Sequence, residues 1–189
     1  GATPTQLRFM RRVYDAHVAR ASRRRRFTPN VPAADLGTIE GRFRARTAAA
    51  DACRDLLRDA RAAINAQGVN VQVGLTSAYR SASHQFQLWQ NYFPDYYSRT
   101  QSTRQGLTGG EHGTQAVQYM TRFVGGRIAA PGYSLHNSGL AVDLAERHGA
   151  TQLLSWFHLN QGIVLTKVSR FAEARFALEK SLRLCLSLG

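Results

Sequence analysis

Pro131-Gly132-Tyr133-Ser134-Leu135-His136-Asn137-Ser138-Gly139-Leu140-Ala141-Val142-Asp143 sets a histidine and an aspartate seven residues apart, with small and apolar residues between them. A neutral imidazole nitrogen and a carboxylate oxygen are both ordinary donors to a zinc ion. Gly139 lets the backbone turn or come close to another segment. Leu140-Ala141-Val142 then reads as a short buried strand that carries Asp143 into a site.

A second informative stretch lies upstream. Val69-Asn70-Val71-Gln72-Val73 alternates apolar and polar residues and predicts a strand with one buried face. That strand leads into Leu75-Thr76-Ser77-Ala78-Tyr79-Arg80-Ser81, with Gln85 four residues further on. The serines at 81 and 83 are natural caps for a helix over Ser83 to about Tyr92, which places Gln85 in its first turn. Arg80 brings a planar fork that can hold a terminal carboxylate with two hydrogen bonds. The same charge can stabilise the oxyanion formed when water attacks an amide.

The spacing Ser134-x-His136-x-x-Gly139-x-Ala141-x-Asp143 resembles the zinc-binding signature of the LAS peptidases, a group that takes in lysostaphin-type enzymes, D-alanyl-D-alanine carboxypeptidases and dipeptidases, and the hedgehog fold. The preceding Pro-Gly-Tyr is most similar to the D-alanyl-D-alanine carboxypeptidase branch. Ser77-x-Tyr79-Arg80-Ser81-x-x-x-Gln85 resembles that family's Ser-x-Tyr-Arg-Ser-x-x-x-Gln segment, so the resemblance covers residues 69–145 or thereabouts. It implies an α+β fold in which a small antiparallel sheet is flanked by helices, with zinc as the cofactor. It also implies His136 and Asp143 as metal ligands and Arg80 as the catalytic arginine. Ser77, Tyr79, Gln85 and Ser134 would be the substrate-binding residues. The implied activity is hydrolysis of peptidoglycan stem peptides at the bacterial cell envelope, in a periplasmic or secreted setting.

The family's third ligand and general base lie in a late Glu-x-Trp-His segment, and this chain departs from it. Ser155-Trp156-Phe157-His158 keeps an aromatic residue and a histidine but has serine in place of the acid. His158 is the leading third ligand, ahead of His148 and of His112, which follows Glu111 in a glycine-bearing stretch. The departure opens a second reading, a non-catalytic wall-binding or partner-interaction module on a peptidase scaffold.

From about Ser155 the chain changes character, and both of its lysines, Lys167 and Lys180, fall there. The periodicity predicts a helical hairpin over 151–189, appended to a peptidase-like domain over 1–150. The hairpin resembles a single tetratricopeptide repeat. One repeat cannot bury its own face, so it would pack on the rest of the chain or take a protein partner.

Other features bound the function class. A formal charge of +13 and the run Arg23-Arg24-Arg25-Arg26 suit an anionic surface, and an acidic wall is favoured over nucleic acid because no nucleic-acid-binding motif accompanies the charge. No stretch approaches the roughly 20 apolar residues of a membrane span, and no signal peptide is visible. Cys53 and Cys185 are too few and too far apart for a disulfide framework and read as free thiols on helices. Helices are predicted over Thr5 to about Arg20, Ala45 to Gln67 and Thr114 to Val124. Phe27 to Gly41 reads as a loop, and Pro94 to Gly113 as a long lid or insertion.

Overall fold

Thr3 starts the first helix in a reciprocal capping box. The Gln6 N–H donates to Thr3 Oγ1 at 3.3 Å, and the Thr3 N–H donates to Gln6 Oε1 at 2.8 Å. Pro4 then occupies the first helical position, where its missing N–H costs nothing. The computed structural model describes residues 2–66, 68 and 71–148. Its elements in chain order are helix α1 (Pro4–Ser22), strands β1 (Leu36–Glu40) and β2 (Phe43–Arg46), helix α2 (Thr47–Ala66) and strand β3 (Val71–Ser77). Helices α3 (Ala82–Arg99), α4 (Gln101–Gln105) and α5 (Thr114–Gly125) follow, and then strand β4 (Asp143–His148). Short 3-10 turns lie at Ala33–Asp35 and Leu135–Ser138. The fold is α+β. The described residues form two compact units: 2–30 with Arg80–Asn137, and Val31–Tyr79 with the described chain from Ser138 to His148.

The first unit is helical. α1 buries Phe9, Val13 and His17, and α3 buries Gln85, Trp89 and Phe93. Both sets repeat every four residues and so form one stripe on each helix. α5 adds Ala116, Val117, Met120 and Val124 to the same core. Ser81 caps α3 by accepting the His84 N–H at 3.1 Å, as its position before an apolar stripe predicts. The helix does not stop at Pro94. It continues to Arg99, α4 follows directly, and the predicted lid over Pro94 to Gly113 is therefore helical as far as Gln105. Proline removes one backbone hydrogen bond. The packing of Phe93, Tyr96 and Tyr97 in the aromatic core outweighs that loss.

The second unit holds both sheets. β1 and β2 pair antiparallel from Leu36↔Arg46 to Glu40↔Phe43, turning through Gly41. The loop predicted over Phe27 to Gly41 thus ends in a strand, because Leu36 and Ile39 are buried against α2 and its neighbours. β3 and β4 pair antiparallel from Val71↔His148 to Ser77↔Asp143. The core is aliphatic and small: Ile39, Ala45, Ala49, Ala50, Cys53, Leu57, Ile64, Val73, Leu75 and Val142. Arg61 of α2 donates to the Val73 carbonyl through Nε at 3.0 Å and Nη2 at 2.9 Å, and pairs with Glu40 at 2.8 Å. Cys53 is a buried free thiol, as read from the sequence. Cys185 and the predicted hairpin over 151–189 lie outside the described residues. Among the described residues no helix is long and apolar enough to cross a membrane.

Candidate functional site

The signature segment enters as a tight loop. Gly132 has φ +81°, and a Cβ there would lie 2.1 Å from the Phe27 ring, so both the backbone conformation and the close approach require glycine. Leu135–Ser138 then makes a 3-10 turn that carries His136. The Ser134 hydroxyl oxygen accepts the His136 N–H at 3.3 Å. Ser134 is buried, and its hydroxyl is engaged in shaping the turn that presents the histidine.

Asn137 organises this loop. It is 1 % exposed. Its Oδ1 accepts the N–H groups of Gly132 and Ser134, each at 3.1 Å, and its Nδ2 donates to the Arg80 carbonyl at 2.8 Å. Two N–H donors on one side and a carbonyl on the other fix the orientation of the amide. The Arg80 N–H in turn donates to the His136 carbonyl at 3.2 Å. Arg80 and the His136–Asn137 turn, up to 57 residues apart in sequence, are therefore joined within the first unit. Asn137 had no role in the sequence reading. The only available signal was its type: a side-chain amide can satisfy backbone donors and a carbonyl together, as a buried turn beside a strand end requires.

Gln85 also belongs to the first unit. It is 1 % exposed, and its Nε2 donates to the Ala129 carbonyl at 3.1 Å. This bond ties the first turn of α3 to the chain just ahead of the signature loop. Gln85 Oε1 is buried and takes no hydrogen bond among the described residues.

In the second unit, Ser77 and Asp143 are register partners at the end of the β3–β4 ladder. The Thr76 hydroxyl donates to the Asp143 carbonyl at 3.2 Å. Asp143 opens β4, whereas the sequence placed a strand over Leu140-Ala141-Val142 ahead of it. Val142 goes instead into the aliphatic core, Ala141 makes only an isolated bridge, and the ladder with β3 begins at Asp143. Gly139 both turns the chain (φ +70°) and lies against Arg46. The Arg46 N–H donates to the Gly139 carbonyl at 2.9 Å, and a Cβ at Gly139 would come within 3.2 Å of that nitrogen. Tyr79 serves the scaffold here: its hydroxyl oxygen accepts the Val31 N–H at 3.2 Å, and its own N–H donates to the Arg44 carbonyl at 2.8 Å.

The candidates for a third ligand fall in three places. His112 lies in the first unit, its Nε2 2.7 Å from the Tyr97 hydroxyl and its ring stacked on that of Tyr97. Glu111 beside it pairs with Arg104 at 3.2 Å. Both belong to the aromatic core and its buried cation. His148 ends β4, with its backbone opposite Val71. His158 lies outside the described residues. Among the described residues no three histidine, cysteine, aspartate or glutamate side chains come together.

Comparison with known proteins adds the family. Among solved structures the chain is similar to a vancomycin-resistance D,D-pentapeptidase VanY variant in complex with Zn(II), at 21% identity and TM-score 0.43, covering 68% of this chain and 58% of that one. It is similar to VanYB in complex with D-alanine-D-alanine at 23% identity and TM-score 0.44, covering 61% of this chain and 55% of that one. A third similar structure is the LdcB LD-carboxypeptidase, at 23% identity and TM-score 0.36, covering 61% of this chain and 45% of that one. The chain thus spans between about two fifths and three fifths of these proteins. A search of curated proteins finds no match. The model of the VanY D-alanyl-D-alanine carboxypeptidase family matches residues 43–174. That match takes in both motifs, passes beyond residue 150 into the segment predicted as a hairpin, and covers well over half of the chain, which therefore belongs to the VanY family of D-alanyl-D-alanine carboxypeptidases.

Proposed function

We propose that this protein is a zinc-dependent peptidase that removes D-alanine from peptidoglycan stem peptides. The observation that carries the reading is the pair of bonds joining Arg80 to the His136–Asn137 turn, which holds a guanidinium-bearing residue next to a zinc-type donor. His136 and Asp143 are the metal ligands in this reading. Their donor chemistry fits zinc: one imidazole and one carboxylate, both half-buried. Zinc, when bound, lowers the pKa of its water and polarises a carbonyl. A three-ligand catalytic site needs one donor more, and His158 is the residue assigned to it.

Arg80 pairs with the terminal carboxylate of the stem peptide and stabilises charge on the scissile carbonyl. Ser134 and Ser77 hydrogen-bond the peptide backbone. Tyr79 and Gln85 hold the strand end and the start of α3 that flank Arg80. Membership of the D-alanyl-D-alanine carboxypeptidase family supports this substrate class. The setting that follows is the cell envelope.

Zinc content and D-alanine release test the reading together. Protein equilibrated with zinc and desalted should keep about one equivalent per chain and release D-alanine from a soluble pentapeptide stem. Arg80→Ala should lower turnover by about a hundredfold or more while keeping the metal. Fully loaded protein that releases nothing would end the enzymatic reading. If it also bound the stem peptide, the chain would be a wall-binding module.

A further inference from the structure

Residues 16–34 contain five arginines and no acidic residue. Four arginines elsewhere sit three or four residues from an acid and pair with it: Arg11–Asp15, Arg54–Asp51, Arg58–Asp55 and Arg99–Asp95. Among the described residues, the side chains of Arg20, Arg23, Arg24, Arg25 and Arg26 make no hydrogen bond or ion pair, and all five are exposed. Phe27, which follows them, is 57% exposed.

This segment is anchored. The N–H groups of Arg24 and Arg25 both donate to the Ala21 carbonyl at 3.0 Å, closing the end of α1. The Phe27 ring packs edge-on to Tyr133 at 5.8 Å and fills the space that a side chain at Gly132 would need. The Thr28 N–H donates to the Gly132 carbonyl at 2.7 Å, and Asn30 Oδ1 accepts the Ala82 N–H at the start of α3 at 2.9 Å. The basic segment is thus fastened to the loop that carries Ser134 and His136.

We infer that Arg20 and Arg23–Arg26 form a docking surface for a linear phosphodiester polymer of the bacterial wall. The inference rests on the reading of the chain as a wall peptidase. Consecutive exposed side chains past a helix end point in several directions, which suits a repeating polyanion better than one small anion. Each guanidinium can pair a phosphate through two parallel hydrogen bonds. With no carboxylate in the segment, nothing in it competes for them. A nucleic-acid reader would add an element that reaches base edges, and here the single aromatic ring is already turned onto Tyr133 and Gly132. Because the surface is continuous with the signature loop, a captured polymer keeps that loop among the stem peptides of the same wall.

The test is co-sedimentation of the full zinc-loaded chain with purified phosphate-bearing walls and with the same walls stripped of phosphodiesters by hydrofluoric acid. Stripping, or the fourfold variant Arg23→Gln, Arg24→Gln, Arg25→Gln and Arg26→Gln, should each weaken retention about tenfold or more, and raising salt from about 50 to about 200 mM should do the same. The matching fourfold lysine variant keeps the charge and should be retained, which separates loss of charge from misfolding. Release of D-alanine from a small soluble stem peptide should be unchanged in all variants. Equal retention on stripped and intact walls, wild-type retention by the glutamine variant, or tighter binding to duplex DNA than to intact walls would each overturn the inference. Loss of soluble-peptide hydrolysis in every protein would instead count against the peptidase reading and leave the retention result standing.

Discussion

The two units solve the problem of a core in opposite ways. The first packs rings, Phe9, Trp89, Phe93 and Tyr97 among them, with buried polar side chains that include His17 and Arg104. The second packs small aliphatic groups from one helix against two short ladders. Its prominent arginine, Arg61, lies at the rim with its side chain 44% exposed. A buried polar group in a ring-rich core depends on the particular bonds it makes, so the stability of that core hangs on a few specific contacts. An alanine-rich core spreads its stability over many weak ones. The first unit also carries the loop joining Arg80 and His136, so the contacts that stabilise it also hold that loop.

The sharpest way to break this contrast is at Arg104, which is fully buried. Its guanidinium donates to Thr100 Oγ1 at 3.1 Å, the Glu111 carbonyl at 3.0 Å and the Tyr97 carbonyl at 2.7 Å, and its carbon lies 4.0 Å from the Tyr97 ring centroid. Arg104→Ala strands those acceptors and the Glu111 carboxylate inside the protein, at an expected cost of about 3–5 kcal/mol. Arg61→Ala in the second unit removes a half-exposed contact and should cost about 1 kcal/mol. Urea unfolding of both variants checks the difference, and equal losses would erase it.

Protonation separates the units next. Burial holds the His17 imidazole neutral and lowers its pKa to about 4, with the Arg20 charge adding to the effect. Its Nδ1 accepts the Trp89 indole N–H at 3.1 Å, a bond only the unprotonated nitrogen can take. The unfolded chain binds the proton first, near the ordinary histidine pKa. The contribution of His17 to stability is therefore complete above about pH 6.5, and about 3 kcal/mol is lost as the pH falls to about 4. The second unit responds at the other end of the scale. Burial raises the Cys53 thiol to about 11, so its share of stability is present below about pH 9 and is lost as the pH climbs to about 11. His17→Gln should flatten the acid limb of stability against pH, and Cys53→Ala the alkaline limb. Curves that keep both limbs in both variants would refute these assignments.

The turns of the signature loop were legible because its glycines are tied to fixed local jobs. Gly132 and Gly139 sit at positive φ where the chain turns, and Ser81 caps the helix it precedes. Helices α1, α2 and α5 showed in their apolar spacing. What failed to show depended on distant partners. Leu36-Gly37-Thr38-Ile39-Glu40 follows two prolines and has only two large apolar residues, and it becomes a strand because Phe43–Arg46 and α2 receive it. Pro94 reads as a stop, yet rings on either side of it carry α3 onward. Arg104 looked like one more surface arginine in an arginine-rich chain, and only its ring and carbonyl partners place it in the core.

Asn137 offers the most specific expected change in function. Asn137→Asp keeps an oxygen for the N–H groups of Gly132 and Ser134 but loses the donor to the Arg80 carbonyl. One buried bond turned into an oxygen–oxygen contact should cost about 1–3 kcal/mol. A residue that merely fills the turn would lower activity only as far as it lowers the folded fraction. A residue that sets Arg80 against the His136 turn should lower kcat/KM for the stem peptide about tenfold or more at temperatures where the variant is fully folded. Asn137→Ser, short and uncharged, should not restore it, because a serine hydroxyl cannot span the two backbone N–H groups and the Arg80 carbonyl together. If the folded Asn137→Asp protein turned over at the wild-type rate, the loop would be holding His136 without help from this amide. The coupling of Arg80 to the turn would then rest on the Arg80 N–H to His136 carbonyl bond.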